Sequence, residues 1–304
     1  MVTSICAIAK YENDYIAEWV RYHINLGFDH IYIYDNNEVD GERIEDAIPA
    51  DLKEKISVLD VRGKKYMQKI VYNECYRTYD FDWCAFIDID EFITFNPKSG
   101  YTNIKQFVQD RNEFDAVHLN WMCYGDNGRI KFKKGNVVDR FSKPIRPLDF
   151  IVKFDFPMNN HSKTILKKGL NIDWCHDDKD WFSTPHTPWG LNNICDSTGN
   201  KLDENTPFVK YDFSVAYLKH FITKSIEEYT IKIVRQCADC NANIYSFGKF
   251  YLYNRLSIGK LLWQNRMKKQ YSLGNEYSIK STMVFLLKTK HVKLYGFLKS
   301  LKMK

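Results

Sequence analysis

The sequence predicts an α/β fold, with a mostly parallel central sheet flanked by helices and a basic, helical segment at its C-terminal end. Three observations carry that prediction. Strand-like apolar runs alternate with amphipathic, helix-like stretches from Val2 to Phe92, the pattern of a parallel sheet with right-handed crossovers. The run Trp83-Cys84-Ala85-Phe86-Ile87 is short, apolar and bounded by polar residues, as a strand buried on both faces is. At 304 residues, 44% hydrophobic and 27% charged, the chain has the length and composition to bury a sizeable core. No apolar run approaches the ~18 residues of a membrane span.

Residues 2–9 read as the first strand. Asn13 offers a helix cap and Asp14 an acid in the first turn. Ile16, Trp19, Val20, His23 and Leu26 follow at helical spacing until Gly27, which suits a C-terminal stop. The second strand, 31–34, stops at Asp35-Asn36-Asn37. A short helix over 42–48 precedes Pro49, and the third strand covers 56–61. Met67, Ile70, Val71 and Cys75 mark the buried stripe of a helix over 66–79, and the Trp83 strand follows. Next, 104–108 reads as a short helix and 116–121 as a strand. Residues 129–181, with Pro144, Pro147 and Pro157, read as short antiparallel strands and loops. Within and beyond them, 173–188 is rich in Trp, His and Asp and reads as an irregular binding loop. A strand over 213–221 leads to Ser225 with Glu228 three residues on, a capping box opening a helix to about Ala238.

Ligands of such sheets collect beyond the carboxyl ends of the strands. The first strand ends near Lys10 and Glu12, the second at Asp35 and Asn36, and the fourth at Asp88-Ile89-Asp90-Glu91. An extended chain there turns Asp88 and Asp90 to one side. Like charges that close need a cation or a protonation shift. Hard oxygen ligands suit Mg²⁺ or Mn²⁺, with a diphosphate completing the shell. The plainer reading is a solvated acidic turn closing a strand. Two side chains do not fill an octahedral shell, so a further ligand is expected. His220, at a strand end ahead of Lys224, is the first candidate and His186 the alternative. Either histidine alone reads equally well as a core or surface residue bonded to its neighbours. Lys224 at a helix start can meet phosphate or stay solvated. Asp35 can accept from a base N–H or a ribose hydroxyl, or merely form a turn. Gln68 and Lys69 open a helix beside the pocket, where surface polarity explains them as well.

Charge is unevenly placed. From Lys249 onward there are 13 Lys or Arg and one acid, Glu276, so the segment carries +12; the chain totals +6, leaving −6 on the body. Basic residues interleaved with Tyr, Leu, Phe and Trp suit an anionic membrane surface, or a solvated helical cap on the domain. Nucleic acid is not expected as a partner, since the body is acidic and lacks any nucleic-acid motif. No basic-then-apolar leader opens the sequence. The 8 Cys lack disulfide spacing, and Cys237-Ala238-Asp239-Cys240 stands as one lone pair, so reduced structural thiols are expected. A cytoplasmic location follows, peripheral on the inner face of the plasma membrane if the basic segment binds there.

Taken in order, these residues resemble nucleotide-sugar glycosyltransferases of the GT-A fold, most closely the family 2-like branch related to glycosyltransferase family 92. Lys10-Tyr11-Glu12-Asn13-Asp14-Tyr15-Ile16 with Glu18-Trp19 resembles that family's opening, and Tyr34-Asp35-Asn36-Asn37 with Asp40 its base-and-ribose loop. Gln68 resembles a position ahead of the acidic motif, and Asp88-Ile89-Asp90-Glu91-Phe92 the DxD-Glu-Phe signature. Asn120-Trp121, Tyr124-Gly125, Arg140-Phe141, Lys163-Thr164-Ile165, and His220-Phe221 with Lys224-Ser225 and Glu227-Glu228 are similar to later motifs. The likeness spans roughly 1–240. It implies a glycosyltransferase domain over 1–248, with a nucleotide-sugar half (1–125) and an acceptor half (126–248), followed by the basic segment 249–304. It further implies Mn²⁺- or Mg²⁺-dependent transfer from a nucleoside diphosphate sugar, UDP-linked by family habit, to a glycan or glycolipid hydroxyl. Inversion at the anomeric carbon and a place in surface polysaccharide or lipooligosaccharide synthesis are implied likewise.

The attacking hydroxyl must lose a proton to a group within hydrogen-bond reach. Glu227 and Asp126 are the candidates, although a first-turn capping role and a turn role account for them as well. Trp121, Tyr124, Trp181 and Trp189 are candidates to stack on sugars, though core packing is the commoner use. Two other classes compete. A non-catalytic carbohydrate-binding protein is favoured by the 15% aromatic content. A phosphatase-like hydrolase wants Thr or Val where Phe92 stands.

Overall fold

The computed structural model describes residues 1–145, 158–176, 184–235 and 245–290. Trp181, the Cys237–Cys240 pair and the end of the basic segment lie outside the described residues. The chain divides into two compact units, one of Met1–Cys123 with Met158–His220 and one of Tyr124–Pro157 with Phe221–Lys304. The boundary expected at residue 248 thus falls inside the second unit.

The first unit holds the sheet. Strand β1 (Thr3–Ala9), helix α1 (Asn13–Asn25), β2 (His30–Asp35), β3 (Ile56–Asp60), α2 (Gln68–Thr78) and β4 (Trp83–Phe86) follow the predicted alternation. They pair in parallel in the order β3-β2-β1-β4. Cys6, Tyr34, Cys84 and Phe86 pack on one face against Val71, Tyr72 and Cys75 of α2 and against Trp174. Ile70, expected in that stripe, is 47% exposed; Tyr72 and Tyr76 take its place. Asn13 does not cap α1. The carbonyl of Glu12 accepts from Tyr15 and Ile16 N–H, while the Asn13 side chain ties Arg43 to Asn37. The helix expected over 42–48 is a single 3₁₀ turn, Ile44–Ala47.

The strand through the acidic motif is shorter than expected. β4 ends at Phe86 and a turn follows, closed by Glu91 N–H donating to the Asp88 carbonyl at 3.0 Å. Strand β5 (Glu91–Phe95) then leaves in a new direction. Helix α3 (Ile104–Gln109) is capped by Asn103, which accepts from Lys105 N–H. Strands β6 (Ala116–Cys123), β7 (Ser162–Lys167), β8 (Ile194–Asp196), β9 (Lys201–Leu202) and β10 (Ala216–His220) complete a ten-stranded sheet among the described residues. β7 lies antiparallel between β4 and β6. β10 runs parallel to the end of β6 and antiparallel to β5. The register sets His220 opposite both Glu91 and Cys123. This mixed half brings together residues far apart in sequence.

The second unit is helical: α4 (Val137–Arg140), α5 (Ile226–Arg235), α6 (Phe247–Tyr253), α7 (Ile258–Gln270) and α8 (Ile279–Lys290). The expected capping box opens α5, with Ser225 and Glu228 exchanging bonds. Ile226, Tyr229 and Ile233 of α5 pack with Phe247, Phe250, Tyr251, Met267, Tyr277 and Leu286. The described part of the basic segment, up to Leu286, therefore contributes side chains to this unit's core. No helix among the described residues is long and apolar enough to cross a membrane.

Candidate functional site

The acidic motif sits on a turn, not on an extended strand, so Asp88 and Asp90 have different surroundings. Asp88 Oδ1 accepts from Gln68 Nε2 at 2.6 Å and from Tyr72 Oη at 3.4 Å. Its Oδ2 lies 2.9 Å from Lys163 Nζ. Gln68 and Tyr72 come from successive turns of α2. Lys163 comes from the start of β7, which its antiparallel run places beside the end of β4. Asp90 Oδ1 lies 3.7 Å from His220 Nε2, because β10 ends where β5 begins.

Glu91 underlies both. It is fully buried and its Oε2 accepts from the Asp88 N–H at 2.9 Å. Burial pushes its carboxyl well above the usual range; Lys163 opposes this, and Asp88 and Asp90 add to it. The neutral acid is thereby favoured, and the turn is spared a third negative charge.

Trp121 forms the wall beside His220. His161 stacks on it at 4.9 Å with an interplanar angle of 8°, His220 lies at 4.1 Å and His186 at 4.9 Å. The Trp121 ring is covered by imidazoles, so it does not serve as an open sugar platform. Burial pushes the imidazole pKa of His161 down to about 4 and that of His186 well down, keeping both neutral. His186 Nδ1 is bonded to the Ser162 carbonyl at 2.8 Å, which accounts for this residue by packing.

A divalent cation, which the resemblance implies, can be tested against these groups. Among the described residues no three of His, Cys, Asp and Glu converge on one point with metal-binding geometry. Asp90 Oδ1 and His220 Nε2, 3.7 Å apart, are wider than the ~3.0 Å between adjacent octahedral ligands about 2.1 Å from one ion, so they would have to draw together to share one. His220 Nδ1 is buried without a hydrogen-bond partner among the described residues. Both oxygens of Asp88 are already engaged. A cation bound there would draw on Asp90 and His220, with a diphosphate and water supplying the rest, as Mg²⁺-type sites commonly do.

The other predicted positions divide. Asp35 and Asn36 are buried and build the loop. Asp35 accepts from the N–H groups of Asn37 and Ile44, each at 3.0 Å. Asn36 Nδ2 donates to the carbonyls of Val61 and Lys64. These bonds give both the turn role. Lys10 pairs with Glu38 at 2.8 Å, Glu12 is buried at the start of α1, and Lys69 is half-buried on α2.

In the second unit, Asp126 is buried, forms an ion pair with Lys260 and accepts from Gly128 N–H. That is a structural role and a correction to its reading as a base. Glu227, half-buried, accepts from Phe132 N–H at 2.6 Å. Lys224 is buried in a left-handed backbone conformation (φ 51°) just ahead of α5. Tyr124, expected on a sugar, is buried against Phe221 at 5.0 Å. In the first unit Trp189, 37% exposed, stacks on His176.

Sequence reasoning named Lys163 and Glu91 only as members of motifs, with no role of their own, and did not single out Tyr72. One signal was available for Lys163, a lone cation inside the strand-like Ser162-Lys163-Thr164-Ile165-Leu166.

No protein-family model matches the chain. It is 22% identical over 139 residues to a glycosyltransferase family 92 protein of Oryza sativa subsp. japonica, an overlap covering 45% of this chain and 24% of that protein. It is 26% identical over 126 residues to galactan beta-1,4-galactosyltransferase GALS2 of Arabidopsis thaliana, covering 37% and 24%. The matches therefore span about a quarter of each relative's length. Among solved structures, TarS 1-349 of S. aureus in complex with UDP-GlcNAc overlaps 95% of this chain and 79% of its own at 11% identity, with a TM-score of 0.42. That superposition is loose. By sequence the chain is thus similar to part of a glycosyltransferase family 92 protein and to part of a galactosyltransferase.

Proposed function

We propose that the chain is a glycosyltransferase that moves a sugar from a nucleoside diphosphate sugar, UDP-linked, to a glycan hydroxyl. The observation that carries this is the cluster at the end of β4. There Asp88, oriented by Gln68, Tyr72 and Lys163, stands beside Asp90 and His220. Transfer builds negative charge on the leaving diphosphate. Mn²⁺ or Mg²⁺ held by Asp90 and His220 would neutralise that charge when bound. The chain's own part is to hold Asp90 on the turn after β4 beside His220 at the end of β10. The relatives' names support the reaction class. Inversion and a role in surface polysaccharide or lipooligosaccharide synthesis complete the reading.

A panel of nucleotide sugars with Mn²⁺ tests the donor. One UDP-sugar is expected to raise the melting temperature, by about 2.7 kcal/mol of added stability at a hundredfold excess over its Kd. Loss of that shift without Mn²⁺ is expected as well. A panel in which no nucleotide sugar moves the transition rejects the proposal.

A glycolipid acceptor would lie at an anionic membrane surface, and the second unit's helices support contact there. Ile258 and Leu262, 77% and 66% exposed on successive turns of α7, lie among Arg255, Arg266 and Lys269. Apolar anchors flanked by cations suit an anionic interface. The double variant Ile258→Asp/Leu262→Asp should lose most binding to phosphatidylserine vesicles at low salt, with an unchanged circular dichroism spectrum. Equal sedimentation of variant and parent with the vesicles defeats the membrane reading. Truncation at Lys249 is unsuitable, because it removes half of the second unit's core.

A further inference from the structure

We infer that the basic loop 129–134 and helix α7 form one face that lies on a bilayer carrying anionic headgroups. Between Gly128 and Asn136 the chain holds four cations, Arg129, Lys131, Lys133 and Lys134, and no acid. From Arg255 to Gln270 it holds five more and again no acid. Lys260, one of the five, is buried against Asp126. Arg255, Arg266 and Lys269 are exposed, as are Lys131, Lys133 and Lys134 of the loop. Phe132, among the loop's lysines, is 38% exposed. Cations alone would suit any polyanion. Apolar side chains held out among them, Phe132 on the loop and Ile258 and Leu262 on the helix, suit the boundary between headgroups and acyl chains instead. There the apolar groups leave water while the cations stay with phosphate.

The two segments are far apart in sequence and packed together in space. Lys131 Nζ lies 5.2 Å from the centre of the Trp263 ring, and the Arg266 guanidinium lies 5.0 Å from it. The indole thus holds a cation from each segment. Gly259, one turn before Trp263 on the same side of α7, gives Ile130 room: a Cβ there would come within 3.2 Å of Ile130 Cδ1. The loop is also tied to the first turn of α5. Glu227 N–H donates to the Ile130 carbonyl at 3.1 Å, and the Glu227 carboxylate accepts from Phe132 N–H at 2.6 Å. The loop therefore runs along the Gly259–Trp263 side of α7, next to Ile258, Leu262 and Arg266, which share a stripe at four-residue spacing. Lys260, Gln264 and Met267 fill the buried side of the helix, so the apolar stripe faces out with the loop's cations along its border.

This face extends the membrane reading of α7 and rests on it, and the experiment separates the two. The full chain is sedimented at low salt with phosphatidylserine–phosphatidylcholine vesicles. Lys133→Glu/Lys134→Glu is expected to weaken partition onto them at least about tenfold, since each cation near such a surface adds to binding. Lys133→Arg/Lys134→Arg, which keeps the charge, should bind as the parent does. So should Lys53→Glu/Lys55→Glu, the same change in net charge placed on an exposed 3₁₀ turn of the first unit. Lys133→Gln/Lys134→Gln, which removes the charges without reversing them, should also bind more weakly, and decides the matter if the reversal disturbs the fold. Unchanged partition in the loop variants overturns the inference; if Ile258→Asp/Leu262→Asp loses binding at the same time, the reading of α7 stands without the loop. An equal loss in Lys53→Glu/Lys55→Glu overturns it too, because net charge and not this face would then draw the chain to the vesicles. A parent chain that leaves the vesicles in the supernatant while binding soluble polyphosphate overturns both readings and makes a polyanionic chain the partner.

Discussion

With Mn²⁺ and the matching nucleotide sugar, Asp90→Asn is expected to turn over donor at least about a hundredfold more slowly than the parent chain. The substitution keeps the size and shape of the side chain and removes its charge. Asp90 sits on the turn between β4 and β5, largely buried, with His220 Nε2 3.7 Å from its Oδ1. A neutral amide there is a poor ligand for a hard cation, and the diphosphate then leaves with its charge uncompensated. The backbone around it is fixed by other bonds: Glu91 N–H to the Asp88 carbonyl, and Asp88 N–H to the buried Glu91 carboxyl. The melting temperature without ligand should therefore change little. The UDP-sugar shift seen in the parent should shrink or vanish. Turnover within threefold of the parent, with Mn²⁺ present, would remove Asp90 from the reaction.

The parallel half of the fold was legible because each of its elements carries its own periodic signal. β1, α1, β2, α2 and β4 are neighbours in sequence and in space, and right-handed crossover leaves little choice of topology. The mixed half was not. β7 slips between β4 and β6 from a distance in sequence, and β5 begins at Glu91, after a turn that follows the apolar run ending at Ile87. The period of Asp88-Ile89-Asp90 fits a strand, yet Asp90 lies in a turn whose closing bond is backbone to backbone and leaves no trace in residue type. The site was legible where it depends on local order, as with Asp88, Asp90 and Gln68. It was illegible where a distant strand supplies the partner, as Lys163 does. His220 is intermediate: its place at a strand end was readable, but its register with Glu91 was not. Asp35, Asn36 and Asp126 were read toward ligands because loop carboxylates and amides carry function often. Here their bonds to nearby backbone groups and to Lys260 account for them.

The second unit carries the largest stability prediction. Arg140 and Glu228 are an ion pair at 3.0 Å with side chains 6% and 4% exposed. Glu228 also closes the capping box of α5 with Ser225. Burial pushes its carboxyl up, but the bonds from Arg140 and Ser225 outweigh burial and hold it below its ordinary value of 4.5. A depressed folded value contributes stability that is fully present above the ordinary value and is lost as pH falls through the depressed one. Arg140→Met leaves the carboxylate buried with its arginine gone, which should cost about 3–5 kcal/mol at pH 7 in urea unfolding. The deficit should shrink as pH falls below 4.5, where protonation removes the stranded charge. Arg140→Met/Glu228→Gln removes that charge while Gln keeps the capping geometry, so the double variant should recover most of the loss. A single variant within about 1 kcal/mol of the parent at pH 7 would mean that water reaches Glu228 once the arginine is removed, and that the pair holds no buried charge in place.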